Sequence, residues 1–389
     1  MKKTSKLRRA LRFGVRGLLA TAVLFATLLL VQGWQAFGQK ASGARLLRMQ
    51  RSPQFHDGHF VNPQPIVNDY WGLFYSMTHG SEHARPEQPV PVAKLSPDAF
   101  SKPPSSGLRV TWFGHSSMLI ELDGVRVLSD PMWSEHAGPI PWLGPERWFP
   151  PPLQLEQLPP LDAVIISHDH YDHLDHSSVL RLNALGVKFV VPLGVGQHLE
   201  YWGVPAERIV ELDWWERHEL NGVTLVCTPA RHASGRLLFD RDTTLWAGYA
   251  LLGPQHRVYY SGDTGLFPAM KEIGEKLGPF DLAMIETGQY NRAWPDWHIG
   301  PEQAVQASQR VRAHALLPVH WALLQLAFHG WTEPVERSVV AAEKRHEPLL
   351  TPRPGQPFEP TLEAQLPRWW PAVPWETADQ HPIVSSKAD

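Results

Sequence analysis

The sequence predicts an α/β (α+β) fold in which two β-sheets pack together and helices cover their outer faces. Short β-type runs separated by turns fill residues 108–128, a pattern typical of a meander of strands. From residue 163 onward, apolar runs alternate with helical segments. The predicted elements begin with a series of strands, and helices occur only between the later strands. This order favours two sheets with helices packed on their outer faces.

Each predicted element rests on its own run of residues. Short apolar runs bounded by turn residues predict strands, and longer segments, one of them starting at Pro301, predict helices. The predicted strands are residues 110–113, 118–122, 125–128, 163–166, 189–191, 208–212, 223–228, 245–252, 258–261, 282–285 and 315–319. The predicted helices are residues 177–185, 195–201, 268–277, 301–312 and 335–345.

Composition allows a large core and argues against nucleic acid as a partner. The chain has 389 residues, of which 43% are hydrophobic, and it is rich in His (20) and Trp (17). Seven of its 36 basic residues lie within residues 1–16, which leaves 29 basic against 39 acidic residues and a net charge of −10 for the rest. An acidic body does not favour binding to a polyanion. The lone Cys227 excludes an internal disulfide, and its apolar strand predicts a core position.

Residues 1–38 form a basic and then apolar N-terminal segment. Gly17–Val31 is apolar apart from two threonines. The segment is either a secretory signal, with the small-x-small cleavage site Ala36-Phe37-Gly38, or an uncleaved membrane anchor ending near Trp34. By the positive-inside rule, the protein is then either anchored with the rest of the chain on the extracytoplasmic side or exported to the periplasm.

The rest of the chain divides into three regions. Residues 39–105 are rich in Pro, Ser, His and Arg without a sustained period, so we expect an extended arm attached through the apolar residues 70–75. Residues 106–347 hold the predicted elements and form the expected catalytic domain. Within it, the Trp- and Pro-rich loop 132–153 either caps the core or lines a substrate cleft. Residues 348–389 are expected to be an irregular, Pro-rich tail.

The predicted strand 163–166 leads directly into a cluster of histidines and aspartates, His168-Asp169-His170-Tyr171-Asp172-His173. A buried strand that ends in so much imidazole is costly unless something binds the ring nitrogens. Alternation along the extended chain places His168 and His170 on one side, and Asp172 and His173 follow where the chain turns. These two adjacent groups suit two neighbouring metal ions.

Three further strands end in a metal-ligand residue beside Gly, Pro or Ser. His232 follows residues 223–228, Asp263 follows residues 258–261, and His320 follows the last predicted strand. Ligands at strand ends can converge at one edge of the sheets. A single histidine after a strand is more often structural, but chance is a poor explanation for all of these sites in one chain.

With these residues, the chain resembles the metallo-β-lactamase superfamily, whose signature is the His-x-His-x-Asp-His motif followed by a His, an Asp and a His. The resemblance implies a four-layer αββα sandwich with two metal ions, usually zinc. It implies that His168, His170 and His232 hold the first ion, that Asp172, His173 and His320 hold the second, and that Asp263 bridges them. Asp130 matches the family's supporting aspartate. Two adjacent ions lower the pKa of a bridging water, so that hydroxide is the expected nucleophile, and Asp172 is expected to orient it.

Local phrases narrow the resemblance to N-acyl-phosphatidylethanolamine-hydrolysing phospholipase D and its bacterial relatives. The phrases are residues 44–55, 112–116, 144–152 and 212–216. The resemblance implies phosphodiester hydrolysis of a phospholipid, and it places a further active-site histidine at His298. A surface or helix-capping histidine is the alternative for that residue.

One segment departs from this pattern. Residues 284–291 look more like the group of L-ascorbate-6-phosphate lactonase-like proteins, which leaves a lactonase or small-ester hydrolase as the second hypothesis. Glu286 in this segment is either a partner of the site or a buried structural acid. His115 is either a neighbour of the site or a turn residue, and Arg147 and Arg231 either face a phosphate or are solvated or ion-paired.

The sequence therefore predicts a zinc-dependent hydrolase, most consistent with a phospholipase D-type phosphodiesterase, that acts on a phospholipid or small ester. Its expected catalytic residues are Asp172, Asp263 and His298. The N-terminal segment predicts contact with a membrane. The sequence does not specify an oligomeric state.

Overall fold

The structure, a computed structural model, describes residues 2–237, 239–361 and 366–389. Met1, Leu238 and residues 362–365 lie outside the described residues, and with them small parts of the predicted N-terminal segment, catalytic domain and C-terminal tail. The helices are α1 (Lys2–Gly33), α2 (Gly43–Met49), α3 (Tyr70–Thr78), α4 (His176–Ala184), α5 (Val195–Tyr201), α6 (Ala269–Leu277), α7 (Pro301–Arg310) and α8 (Glu333–Arg345). Single 3₁₀ turns lie at Pro97–Phe100, Leu155–Gln157 and Ala206–Arg208.

The strands are short, and most lie where the sequence predicts them. They are β1 (Phe55–His56), β2 (His59–Phe60), β3 (Leu108–Trp112), β4 (Met118–Leu122), β5 (Val125–Ser129), β6 (Ala163–Ile165), β7 (Phe189–Pro192), β8 (Ile209–Leu212), β9 (Arg217–Leu220), β10 (Val223–Thr228), β11 (Gly248–Leu252), β12 (Arg257–Tyr260), β13 (Leu282–Glu286), β14 (Leu316–Val319) and β15 (Pro357–Phe358).

Two mixed sheets form the centre of the molecule. The first has seven strands in the order β15-β3-β4-β5-β6-β7-β8, antiparallel up to β5 and parallel from β5 to β8. The second has six strands in the order β14-β13-β12-β11-β10-β9, parallel from β14 to β12 and antiparallel from there. A separate hairpin pairs β1 with β2.

Three hydrophobic clusters define four layers. The central cluster joins inward-facing residues of both sheets, such as Ile120 and Leu251, and it contains the buried Cys227. On the outer face of the first sheet, Leu128 shares a cluster with residues of α4 and α5. On the outer face of the second, Ile285 shares a cluster with residues of α6, α7 and α8. The predicted αββα sandwich is confirmed.

The region 39–105 differs from the extended arm that the sequence suggests, because it contains α2, the β1–β2 hairpin and α3. Tyr70–Thr78 is helical since the Asp69 carboxylate accepts a hydrogen bond from the Gly72 amide and caps the first turn. Residues 70–75 were expected to attach the arm. Instead, Tyr70, Phe74 and Tyr75 are largely exposed and the Trp71 side chain is 85% exposed.

Two other segments depart from their expected form. The strand predicted from residue 245 begins only at Gly248, because the Leu245 and Ala247 amides donate to the carbonyls of Leu193 and Ser167 beside the first sheet. The C-terminal region is largely irregular, as expected, but it contributes strand β15 to the first sheet.

Candidate metal centre and active site

The predicted site residues come together where strands of both sheets end. Asp130 follows β5, His168 lies shortly after β6, and His232 lies beyond the end of β10. Asp263 lies shortly after β12, and His320 directly follows β14. Strands that run in the same direction, as β5 and β6 do in the first sheet and β10, β12 and β14 in the second, end at the same edge of their sheet, which brings residues far apart in sequence to one place.

His168, His170 and His232 form the first ligand group. One ring nitrogen of each lies within 4.8 Å of the others. His170 Nδ1 is 2.8 Å from His168 Nε2 and 3.3 Å from His232 Nε2. His168 and His232 are buried, whereas His170 is partly exposed and forms the open side of the group.

Asp172, His173 and His320 form the second group, and the structure adds His115 to it. His115 Nε2 lies 2.8 Å from Asp172 Oδ2, and His173 Nε2 lies 3.3 Å from the same oxygen. The rings of His115 and His320 are 4.0 Å apart, centroid to centroid. His115 is fully buried, so it is a neighbour of the site and not merely a turn residue.

Asp263 lies between the two groups. Its Oδ2 atom is 3.1 Å from His173 Nε2, 3.8 Å from His232 Nε2 and 3.9 Å from His168 Nε2. Its Oδ1 atom is 3.2 Å from His320 Nδ1. A carboxylate in this position can reach ligands of both groups at once.

The residues present fit metal ions. His173 Nε2, His320 Nε2 and Asp263 Oδ1 are buried and make no hydrogen bond within the described part of the chain. Unpaired polar atoms of this kind cost free energy unless a further partner binds them. Imidazole nitrogens and carboxylate oxygens are a donor set that suits zinc and related transition metals.

Supporting contacts orient the rings of the ligands. His232 Nδ1 is 2.8 Å from the Trp297 carbonyl oxygen, which leaves Nε2 of that ring facing the cluster. The hydroxyl of Ser116 lies 3.0 Å from His320 Nδ1, the nitrogen that also faces Asp263 Oδ1. Metal-binding histidines commonly use the second nitrogen in this way to fix their orientation.

Asp130 supports the cluster from behind. Its Oδ2 atom lies 2.7 Å from His173 Nδ1 and accepts hydrogen bonds from the hydroxyls of Ser167 and Tyr260, each at 2.5 Å. Its Oδ1 atom accepts from the Ser167 amide at 2.7 Å. The carboxylate therefore fixes His173 and the start of the histidine-rich loop together.

Burial shifts the pKa values of the ligand side chains. It lowers the pKa of His168, His232 and His320 well below the usual value, which favours the neutral imidazole that binds metals. Burial also acts to lower the pKa of His173, but Asp263 and the other nearby carboxylates outweigh it and raise that pKa. Burial raises the pKa of Asp263 to about 6.

His298 lies beside the cluster and is paired with Glu286. Its Nδ1 atom is 2.7 Å from Glu286 Oε2 and 3.9 Å from Asp263 Oδ2. Glu286 is fully buried, and its other oxygen accepts a hydrogen bond from the Thr264 amide. Glu286 is thus a partner of the site, and it leaves Nε2 as the ring nitrogen of His298 that can meet a substrate.

A cavity of about 260 Å³ opens at His298. The indoles of Trp294 and Trp297 and the side chain of Leu326 line it together with Asn68 and Gln289. Its wall is therefore mainly apolar, with two amide side chains. A larger cavity of about 540 Å³ lies beside Tyr75 and His329 and includes none of the predicted ligands.

The two arginines considered as phosphate contacts serve internal packing instead. Arg231 is buried in an ion pair with Asp296, with 2.9 Å between Nη1 and Oδ1. Arg147 donates to the carbonyl oxygens of Phe149 and Met132. The loop 132–153 mainly caps the core, since Trp133 and Phe149 are buried.

Comparison with known proteins identifies the family. The family described as "Beta-lactamase superfamily domain" matches residues 125–321. The chain belongs to the metallo-β-lactamase superfamily. It is similar to N-acyl-phosphatidylethanolamine-hydrolyzing phospholipase D 1 of Caenorhabditis elegans, with 41% identity over 288 residues that cover 67% of this chain and 80% of that protein. An uncharacterized protein of Mycobacterium tuberculosis is 45% identical over 377 residues, 93% of this chain and 99% of that protein.

Solved structures of this superfamily share the fold. The isothiocyanate hydrolase from Delia radicum gut bacteria superposes with a TM-score of 0.51 at 19% identity and covers 64% of this chain and 98% of its own. At this identity the likeness concerns the fold alone. The family match and the His/Asp cluster identify the protein as a metal-dependent hydrolase of the metallo-β-lactamase superfamily.

Proposed function

We propose that this hydrolase is a di-zinc phosphodiesterase of phospholipase D type that cleaves lipids related to N-acyl-phosphatidylethanolamine. One observation carries the proposal: the ligand cluster meets an apolar, tryptophan-lined cavity at His298. An apolar wall next to a hydrolytic centre suits a substrate that has a polar reacting group and an apolar remainder. The similarity to the Caenorhabditis elegans phospholipase D supports the same substrate class.

Seven residues would hold the metal ions. His168, His170 and His232 would bind the first ion, Asp172, His173 and His320 the second, and Asp263 both. When bound, two zinc ions would lower the pKa of a water molecule and stabilise the charge that develops on the phosphate oxygens.

Asp172 and His298 supply the remaining chemistry. Asp172 is oriented by the 2.8 Å contact with His115, and we assign it to orient the attacking water and accept a proton from it. The water oxygen forms a bond to phosphorus, and the bond from phosphorus to the ethanolamine oxygen breaks. His298 Nε2 donates a proton to that leaving oxygen, and Glu286 holds the ring. The products are phosphatidic acid and an N-acylethanolamine.

The size of the cavity limits which part of a lipid it can hold. A volume of about 260 Å³ is below the usual range of about 300–1,000 Å³ for drug-sized ligands. The cavity would therefore take the group next to the scissile bond, and the acyl chains would lie outside it. The exposed aromatic residues Tyr70, Trp71 and Phe74 of α3 follow Asn68, a residue of the cavity wall, in the sequence, and we assign them to contact the acyl chains.

A small ester or lactone is the second candidate substrate. The small cavity favours it, and so does the position of Glu286 in the segment that resembles the lactonase-like group. For such an enzyme, α1 would serve only to place the protein in the cell.

We also propose that the protein acts at a membrane, with its catalytic domain on the extracytoplasmic side. Residues Leu11–Gly33 of α1 form a stretch of 23 residues, within which an 18-residue window has a mean hydropathy of 2.0. At 1.5 Å per residue the stretch is about 35 Å long, enough to cross a hydrocarbon core of about 30 Å. The basic residues before it support this orientation.

A substrate comparison tests the proposed function. The zinc-loaded protein is incubated with vesicles that contain an N-acyl-phosphatidylethanolamine, and separately with a panel of lactones and soluble esters. Release of phosphatidic acid and N-acylethanolamine from the vesicles is the expected result. If the lactones or soluble esters turn over while the lipid stays intact, the small-ester hypothesis replaces the lipid one.

A further inference from the structure

The chain that follows α1 packs against the catalytic domain. We call residues 33–39 the docking segment. Ala36, in the middle of it, is only 4% exposed. The indole of Trp34 lies edge-on to the ring of Tyr201, with centroids 6.0 Å apart. A flexible linker between a membrane helix and a domain would not be buried in this way.

Backbone groups of the docking segment are bonded to buried side chains of the domain. Trp202 Nε1 donates to the Gln35 carbonyl oxygen at 2.7 Å, and Arg236 Nε donates to the Ala36 carbonyl oxygen at 2.7 Å. The Gln39 amide donates to His198 Nδ1 at 3.0 Å. Arg236 is 5% exposed, so its guanidinium needs these protein acceptors.

Gly38 is required by this close approach. Its φ of +74° is in the left-handed region, and a Cβ atom there would lie 2.0 Å from His198 Nδ1. Gly43, a few residues later, also has a positive φ of +56°, but no atom lies within 4 Å of its Cβ position. Both glycines therefore have a left-handed backbone conformation, but only at Gly38 would an added Cβ atom clash with another residue.

The end of α1 itself contacts the Trp-rich loop. Trp142 Nε1 donates to Gln32 Oε1 at 3.0 Å, and the Trp142 ring lies 6.3 Å from that of Phe25. A Cβ atom on Gly33 would lie 3.1 Å from Ile140. The helix is thus held on two sides, by this loop and by α5.

The same side chains reach the loop that carries the metal ligands. Arg236 Nη1 donates to the carbonyl oxygens of Asp169 at 2.6 Å and Leu174 at 2.9 Å. His198 Nε2 is 3.2 Å from Asp169 Oδ2. Asp169 lies between the ligands His168 and His170 in the sequence. The docking segment therefore contacts Arg236 and His198, and these two side chains contact the loop that carries the first ligand group.

We propose that α1 is retained in the mature protein as a membrane anchor, and that the docking segment fixes the catalytic domain rigidly to the membrane end of that helix. The partner is a lipid bilayer, since the 18-residue apolar window of α1 is 0% buried by the protein. Removal of residues 1–38 would take the acceptors from Trp202 Nε1 and Arg236 Nε.

Retention of α1 as an anchor, in place of cleavage as a signal, does not depend on a lipid being the substrate. A hydrolase of soluble esters could be anchored in the same way. The consequence of rigid docking is that the mouth of the site keeps a fixed height and tilt relative to the bilayer, and that the anchor supports the ligand loop through Arg236 and His198.

Peptide mapping of the full chain purified from membranes tests retention. Trypsin cuts after Arg16 and Lys40, so an intact peptide Gly17–Lys40 is expected. A mature protein whose N-terminal sequence begins at Gln39, with the intact peptide absent, would overturn retention. The result concerns the anchor alone, whatever the substrate.

Spin-label distances in the full chain, embedded in lipid nanodiscs, test rigid docking. Labels are placed by Leu30→Cys on α1 and Leu185→Cys on the domain, both exposed, whereas the native Cys227 is buried and stays unlabelled. The distance distribution is expected to be as narrow as that of a reference pair within the domain, at Leu185 and Val340. If the protein with an unaltered docking segment gives a distance distribution several times broader than that of the reference pair, the proposal is contradicted.

Two glycine variants sharpen this experiment. Gly38→Ala introduces the contact with His198 and is expected to broaden the distribution at least about twofold. Gly43→Ala is the same substitution at another residue with a positive φ, but its Cβ atom would contact nothing. The distance distribution of this variant is therefore expected to stay narrow. Equal distributions in the two variants would show that the segment does not hold the domain.

Discussion

The centre of the site and its rim are built on different principles. In the centre, nearly every ligand is buried and has a second contact that fixes its orientation, as Asp130 does for His173. At the rim, the cavity at His298 is small and partly open, and the aromatic side chains of α3 point away from the protein, with Trp71 85% exposed. The centre determines that a bond is hydrolysed, and the rim determines which substrate reaches it.

This difference also explains what the comparisons show. The superfamily match covers residues 125–321, which contain the proposed ligands His168 to His320 but neither α3 nor the docking segment. It also contains four of the six residues that line the cavity at His298, so that only Asn68 and Leu326 of that lining, together with α3, lie outside the matched region. Experiments that alter one part and leave the other intact test this division.

The largest effect is expected from His170→Ala. The variant removes a ligand of the first group, and metal-ion catalysis stabilises developing charge by several kcal/mol, so activity toward every substrate should fall roughly a thousandfold. Bound zinc per chain should fall as well. His56→Ala, an exposed histidine far from the motif in sequence, serves as the matched control. Near-normal turnover in His170→Ala would contradict the proposed metal centre.

His298→Ala is expected to lower kcat by about a hundredfold, the lower range for loss of a general acid. Because His298 is not among the seven proposed ligands, bound zinc should remain unchanged, which separates this variant from His170→Ala. Metal analysis and steady-state kinetics on one preparation give both values. An equal loss of zinc and turnover would make His298 a metal ligand instead.

Glu286→Gln should have a smaller effect than loss of the ring it supports. Replacing the carboxylate by an amide weakens the hold on His298 Nδ1, and loss of such supporting partners costs about tenfold or more in activity. The decrease should be in kcat, with KM nearly constant. Unchanged kcat would leave Glu286 as a structural acid only.

The double variant Trp71→Ala, Phe74→Ala tests the rim. These side chains are exposed, so the fold should keep its stability, while lost contact with acyl chains of about 1 kcal/mol would reduce activity on vesicles roughly fivefold. Activity on a short-chain soluble diester should not change. A matched exposed pair away from the site, Leu185→Ala and Val340→Ala, should leave both activities unaltered.

The same division separates what the sequence predicts from what it does not. The αββα fold follows from strand and helix patterns, and the superfamily from the motif at residues 168–173 with its distant partners. The strand and helix patterns are local in the sequence, and each distant ligand residue follows a predicted strand, so both can be recognised without the structure. His115 and Glu286 were left open, because only the packing of separate strands places them beside Asp172 and His298.

The rim is less predictable for physical reasons. Residues 70–75 form an apolar run, which usually indicates attachment to a core, yet in the structure they form a helix with exposed aromatic side chains. The docking segment contains the candidate cleavage site Ala36-Phe37-Gly38, but no pattern in it predicts packing against the domain. It is held through backbone carbonyl and amide groups, which every sequence provides, so only the folded domain reveals it. The expected boundaries at residues 38, 105 and 347 stay predictions.

Isotope incorporation tests the central claim most directly. The zinc-loaded enzyme hydrolyses an N-acyl-phosphatidylethanolamine in vesicles prepared in water enriched in ¹⁸O, and both products are examined by mass spectrometry. Attack of water on phosphorus predicts one ¹⁸O atom in the phosphate of phosphatidic acid and none in the N-acylethanolamine. Intact lipid, or label in the N-acylethanolamine, would contradict a phospholipase D-type hydrolysis at this site.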